Sequence, residues 1–325
     1  VSGQLSQVKF FTPIQNRIQL VEDKMRERPD GHHPDLYAAL EHLINSGGKR
    51  VRPAIALLTG GMYGADPDRL VILGAAIELL HTATLVHDDL IDGALFRRGI
   101  ATLNASWSPA ATVLTGDYVF ARAAKLAAET DSVIVMRIFA ETLATIVNGE
   151  LTQMFTSRGL VSREDYNRRI YAKTASMFEL ATSAAAVLSP ADEETVSAAR
   201  QFGNDIGMAF QIVDDVLDFT GEQTTVGKPV ASDLRQGLVT LPAIYYVESH
   251  PNDGDMAALL NGQYYSEERL EKIVREIRKS GAIEQAMDEA RHYINRALGT
   301  LRMQVECPER YALEELAEYI VERSL

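Results

Sequence analysis

The same acidic pentad occurs twice in this chain, each time at the end of a long apolar helical run. The first is Asp88-Asp89-Leu90-Ile91-Asp92, entered through Ala83-Thr84-Leu85-Val86-His87. The second is Asp214-Asp215-Val216-Leu217-Asp218, entered through Ala209-Phe210-Gln211-Ile212-Val213. Helix residues four apart share a face, so Asp88 projects with Asp92 and Asp214 with Asp218. Carboxylates that close repel, and burying them unpaired is costly. A hard divalent cation removes the conflict, and Mg2+ favours carboxylate oxygens. A solvated acidic face would not continue apolar flanks of this kind. Two such clusters facing each other could hold several Mg2+ ions and a phosphorylated substrate.

Apolar residues recur at three and four through Leu70 to Asp89, Pro109 to Ala128, Ser132 to Met154, Lys173 to Leu188 and Glu194 to Asp218. No strict alternation runs for six residues, so no sheet is expected. Gly47-Gly48, Gly64-Ala65-Asp66-Pro67, Ser189-Pro190, Gly227-Lys228-Pro229 and His250-Pro251 punctuate the helices. Asp66 and Ser189 read as caps or pre-caps, each followed by Pro at a helix start. No linker separates the two pentads. The expectation is an all-α fold, one domain over 1–325, of roughly a dozen helices around a central cavity. The runs near 70–89, 132–154 and 194–218 are apolar on most faces and should be central. The more charged segment from Asn252 onward should be outer.

Net charge is −13, which argues against a nucleic-acid partner. A phosphate ligand then requires placed cations and metal ions to invert the local field. Cys307 is the only cysteine, which excludes an internal disulfide and suits a reducing cytoplasm. No apolar run is expected to reach bilayer-spanning length. The N-terminus does not read as a signal peptide, although the chain begins at Val1.

A basic set accompanies the acidic one. Gly47-Gly48-Lys49-Arg50-Val51-Arg52-Pro53 offers backbone N–H groups and cations to an anion at a helix entry. Arg97-Arg98 follows the first pentad, His81 precedes it by about two turns, Lys173-Thr174 opens another apolar run, and Lys228 follows the second pentad. Each alone has an ordinary reading: an exposed turn, a basic loop, a core histidine. Their joint order and spacing is specific.

From about Leu40 to Thr240 these motifs resemble the trans-type isoprenyl diphosphate synthases, or polyprenyl synthetases. Gly48 to Pro53 resembles the first basic motif, and Asp88 to Arg98 the first aspartate-rich motif. Phe210 to Asp218 resembles the second, and Gly227-Lys228-Pro229 with Ser232-Asp233-Leu234 the loop that follows. The resemblance implies that Asp88, Asp92 and Asp214 bind Mg2+, with Asp89, Asp215 and Asp218 acting on the metal through those ligands or through water. Arg97, Lys173 and Lys228 would hold an allylic diphosphate. Lys49, Arg52, His81 and Arg98 would hold isopentenyl diphosphate. Gln211 and Thr174 would position the reacting groups. It also implies a homodimer. One departure is Leu238, where many relatives carry lysine before Thr-Leu-Pro, which throws more weight on Lys228 and Arg235.

Short-chain members of that family tend to carry an aromatic residue where Ala83 stands, beside Thr84. One helical turn, about 5.4 Å, is close to one prenyl unit, so a small Ala83 passes the chain to deeper turns and favours products of about thirty to fifty carbons. Phe139 is either the floor of that cavity or plain core. Geranylgeranyl or farnesyl diphosphate synthase is the next reading. A class I terpene cyclase lacks the Gly-Lys-Arg-Val-Arg-Pro set, a non-catalytic subunit of a heteromeric synthase tends to lose acidic motifs, and a His-Asp phosphohydrolase, suggested by His87-Asp88, needs further histidine ligands.

Overall fold

The computed structural model describes residues 9–27, 31, 33–97, 99–155, 162–221, 230–262 and 266–322. In chain order the α-helices are α1 (Gln15–Arg26), α2 (Pro34–Asn45), α3 (Val51–Met62), α4 (Pro67–Ile91), α5 (Leu103–Ser106), α6 (Pro109–Glu129), α7 (Val133–Phe155), α8 (Arg163–Ile170), α9 (Ser176–Val187), α10 (Glu193–Thr220), α11 (Ser232–Arg235), α12 (Leu241–Ser249), α13 (Gly254–Leu260), α14 (Glu267–Lys279), α15 (Ala282–Arg302) and α16 (Pro308–Glu322). The fold is all-α. Among the described residues the only strands are a hairpin of two-residue strands, β1 (Phe96–Arg97) and β2 (Ile100–Ala101), too short to show alternation in sequence. The chain forms two compact units.

The first unit comprises Val1–Leu143, Met177–Gly203 and Thr300–Leu316. α4 is its core helix, packed on α1, α3 and α6. Asp66 caps α4 by accepting from the N–H groups of Asp68 and Arg69, with Pro67 next in line. α4 is long and apolar enough to cross a membrane, against the expectation that no run reaches that length, and 72% of its most apolar stretch is buried inside the fold. Small residues let the helices approach closely. A Cβ on Gly116 of α6 would lie 2.2 Å from the His87 ring of α4.

The second unit comprises Ala144–Ser176, Asn204–Gly299 and Ala317–Leu325. α14 has the amphipathic pattern of a surface helix, burying Leu270, Ile273, Val274 and Ile277. Asp205 is fully buried, and its two carboxylate oxygens accept from Nε and Nη2 of Arg296. A Cβ on Gly149 would lie 2.5 Å from that of Ala172, which brings α7 close to the segment following α8.

Two expectations need correction. Ser189 does not start a helix: its hydroxyl accepts from Ala191, and Asp192 instead binds the Thr195 N–H in the first turn of α10. α7 is not enclosed along its length. Val147, Leu151, Met154 and Phe155 are exposed, Phe155 to 83%, and their spacing puts them along one strip. Composition does not tell whether an apolar face is covered within the chain or by another molecule.

Candidate active site

α4 carries the first pentad into its C-terminal cap, so Asp92 is exposed at the helix end while Asp88 is half-buried one turn inside. Asp89 lies on the buried side. Its Oδ1 accepts from Arg97 Nε at 2.9 Å and Nη2 at 2.8 Å. The hairpin holding Arg97 is tied down at its far end, where His42 Nε2 lies 2.8 Å from the Ala101 carbonyl. A cavity in this unit is lined by Gly47, Arg50, His81, Asp89 and Arg97.

The Gly-Gly-Lys-Arg loop is shaped by Arg50. Its backbone is left-handed, at φ 49°, just before α3. Its guanidinium is buried, 2.9 Å from Glu22 Oε1 and 2.9 Å from Glu78 Oε1, and donates to the Ile44 carbonyl at 3.0 Å. Burial opposes the charge, but Glu78 and Glu22 outweigh it and raise the pKa above the ordinary arginine value. This anchoring leaves Lys49 exposed, and it places the Arg52 guanidinium 5.0 Å from the centroid of the Phe178 ring. Sequence reasoning counted Arg50 as part of a basic motif and missed that it is structural. The acidic residues that claim it lie 28 residues away on either side.

In the second unit α10 carries the other pentad. Asp214 is half-buried and Asp215 is buried. Asp215 Oδ2 accepts from the Tyr166 hydroxyl at 2.7 Å, and Oδ1 from Gln211 Nε2 at 2.8 Å. Gln211 Oε1 in turn accepts from Thr174 Oγ1 at 2.6 Å. Burial pushes the Asp215 pKa up to about 7, against the lowering effect of the two hydrogen bonds. Burial also pulls Arg169 down, partly offset by Asp215. Asp218 is occupied differently. Its Oδ1 accepts from the Ser232 N–H at 3.0 Å and hydroxyl at 2.8 Å, and its Oδ2 from the Asp233 N–H at 3.1 Å. Lys173 is exposed and lies 2.9 Å from Glu150. Arg235 pairs with Glu267. Lys228 and Arg98 lie outside the described residues.

Within each pentad, then, Asp89, Asp215 and Asp218 are held by donors of the protein itself. Among the described residues no group of three or more His, Cys, Asp and Glu forms a closed metal cage. Pairs of carboxylates still fit Mg2+, which takes one or two from protein and fills its shell with water and substrate phosphates. His87 turns toward α6, 3.2 Å from the Val113 carbonyl and 3.4 Å from Asp117, which gives no histidine metal cluster of the phosphohydrolase kind. Ala83 is fully buried, and so, nearly, is Phe139.

The polyprenyl synthetase sequence profile matches residues 33–277, three quarters of the chain and all of these motifs. The chain belongs to the polyprenyl synthetase family. It is a trans-prenyltransferase, and its family binds isoprenyl diphosphates and generally depends on divalent metal. The heptaprenyl diphosphate synthase component 2 of Bacillus subtilis is 34% identical over 96% of this chain and 90% of that one. Among solved structures, a polyprenyl synthase from Caulobacter crescentus complexed with calcium and isoprenyl diphosphate has 35% identity, a TM-score of 0.89 and 98% coverage of both chains. A decaprenyl diphosphate synthase from Rhodobacter capsulatus has 34% identity and a TM-score of 0.90, covering 97% of this chain and 98% of that one. The family match reaches beyond the Leu40–Thr240 span that motifs alone carried.

Proposed function

We propose that this synthase condenses isopentenyl diphosphate with an allylic diphosphate in the presence of Mg2+. Repeated addition builds an all-trans product of about thirty to fifty carbons, since small residues, Ala83 and Thr84, stand about one 5.4 Å turn below Asp88. The observation that carries the reading is the pair of acidic pentads, each set on an apolar helix in a chain of this family. The heptaprenyl and decaprenyl names of two relatives support the length.

Asp88, Asp92 and Asp214 would hold the metal. When bound, the metal ions would stabilise charge on the departing diphosphate. Arg97, Lys173 and Lys228 would bind the allylic diphosphate. Arg97 and Lys173 each sit beside a carboxylate, Asp89 and Glu150, which orients them until a more highly charged anion competes. Lys49, Arg52, His81 and Arg98 would bind isopentenyl diphosphate. Thr174 and Gln211 would position the reacting groups. Apolar helix walls would keep water from the allylic cation, and the departing diphosphate would accept the proton.

The two compact units would serve one synthase domain, as the span of the family match across segments of both supports. The exposed apolar strip of α7 supports a homodimer. The lone Cys307 supports a cytoplasmic location. The deciding experiment supplies radiolabelled isopentenyl diphosphate with allylic primers of several lengths, with and without a chelator. Mg2+-dependent label in products of thirty carbons or more is expected, on the ruler of one turn per prenyl unit. No incorporation with any primer would overturn the reading.

A further inference from the structure

We propose that Tyr166 is a positioning residue for the second acidic cluster: its hydroxyl pins Asp215, and through Asp215 sets the direction in which α10 presents Asp214. The inference rests on the metal-diphosphate role proposed for that cluster.

Tyr166 is fully buried on α8, and its hydroxyl donates to one oxygen of Asp215 at 2.7 Å. The other oxygen takes the Gln211 amide at 2.8 Å, and that amide is itself oriented by the Thr174 hydroxyl at 2.6 Å. One carboxylate is thus gripped at both oxygens, once from α8 directly and once from Thr174 through Gln211. Asp214 and Asp218 share a helix face. Asp215 sits about 100° round the axis from Asp214, at 3.6 residues per turn. A helix held at that azimuth cannot rotate without breaking a buried hydrogen bond, so the grip on Asp215 fixes the aim of Asp214.

The two grips come from residues eight apart in one helical segment. Two α-turns consume 7.2 residues, so a regular helix would leave Thr174 most of a residue out of line with Tyr166. The segment Tyr171–Ala175 is instead π-helical, and its i→i+5 bonding takes up an extra residue. The same turn keeps Lys173 exposed while Thr174 is buried. The π turn therefore aligns Tyr166 and Thr174 for Asp215 and leaves Lys173 outward. A tyrosine present only for packing would need neither the carboxylate nor the register change.

Tyr166→Phe keeps the ring and deletes the donor. Thermal shift of the full chain, titrated with Mg2+ at fixed inorganic diphosphate, reads metal binding without turnover; kcat and KM are measured on the same preparation. The Mg2+ midpoint is expected to rise about tenfold, the lower range for loss of an outer-shell partner, and kcat to fall while KM for isopentenyl diphosphate stays constant. Asp215→Asn should produce the same midpoint rise, and the double variant should add little to either single change. A wild-type midpoint and kcat in Tyr166→Phe, whatever its melting temperature, would overturn the proposal. So would additive effects in the double variant. If the wild-type chain itself gives no Mg2+-dependent shift, the metal reading has failed and the inference with it, a result visible before any variant is made. If Tyr166→Phe does not fold, an unchanged midpoint in Asp215→Asn overturns the proposal by itself.

Discussion

Arg50 and Glu78 form a buried pair, Nη1 to Oε1 at 2.9 Å, beside the cavity that carries His81 and Arg97. Breaking such a pair from one side leaves the other charge uncompensated. Arg50→Met should therefore lower stability by about 3 to 5 kcal/mol, read by urea unfolding. Its neighbour offers the contrast. Lys49 is exposed, so Lys49→Ala should move stability by no more than about 0.5 kcal/mol and mainly raise KM for isopentenyl diphosphate. Equal destabilisation by the two changes would mean that Arg50 does not anchor the loop.

Metal dependence should be absolute. Asp88→Ala and Asp214→Ala should each cost orders of magnitude in turnover with the circular dichroism spectrum unchanged. Thorough chelation should abolish activity, and added Mg2+ should restore it. Full activity of the chelated wild type would sink the two-cluster mechanism.

The stability of the metal-free protein should depend on pH through Asp215. Its folded pKa is raised to about 7 while the unfolded value is near 3.8, so the folded state binds more protons between those limits. Stability from this group is fully present below pH 3.8 and is lost as pH rises toward 7. Asp215→Asn should flatten that part of the profile, measured by thermal melting with chelator present. A parallel wild-type and variant profile from pH 4 to pH 7 would remove Asp215 as the cause.

The chain-length ruler can be tested at Ala83. Its site is fully enclosed, so Ala83→Phe adds a ring to a packed position and should cost about 1 to 3 kcal/mol. Primer should still be consumed, but products should shorten to about fifteen or twenty carbons, because the ring blocks the first turn below Asp88. Phe139→Ala should cost about 3 to 5 kcal/mol by cavity formation. It lengthens the product only if that ring is the floor. An unchanged product in Ala83→Phe would mean that the chain grows along a different wall.

Assembly is testable on the exposed strip of α7. Wild type should scatter light as a dimer at micromolar concentration. Leu151→Glu puts a charge among Val147, Met154 and Phe155 and should yield monomer. A monomeric wild type would leave that strip unexplained.

The helices and the acidic pairs were legible because both depend on short-range periodicity. Asp66-Pro67 announced the start of α4 by the same local logic. What sequence did not reveal depends on register or distant partners. The hairpin at Arg97 has too few residues to alternate. The π turn at Lys173 is a shift of one residue within an otherwise helical pattern. Tyr166 sits in the charged stretch Arg163 to Arg169, where a buried aromatic draws no notice. Its spacing of eight from Thr174 is a signal only when a π turn is already suspected. Arg50 read as one more cation of a basic motif because Glu22 and Glu78 are far away in sequence.

Asp218 has a consequence for redesign. Its carboxylate and carbonyl fasten the backbone at Ala231, Ser232 and Asp233, clasping two points of the chain fourteen residues apart. Once such a clasp is made, the entropy of closing the intervening chain grows only logarithmically with its length. Exchanges of the 222–229 stretch with segments of other lengths should then be tolerated by the fold, provided Asp218 and Ser232 stay. Replacement segments that keep a lysine at the place of Lys228 would then let substrate preference be varied while the Asp218 clasp stays intact.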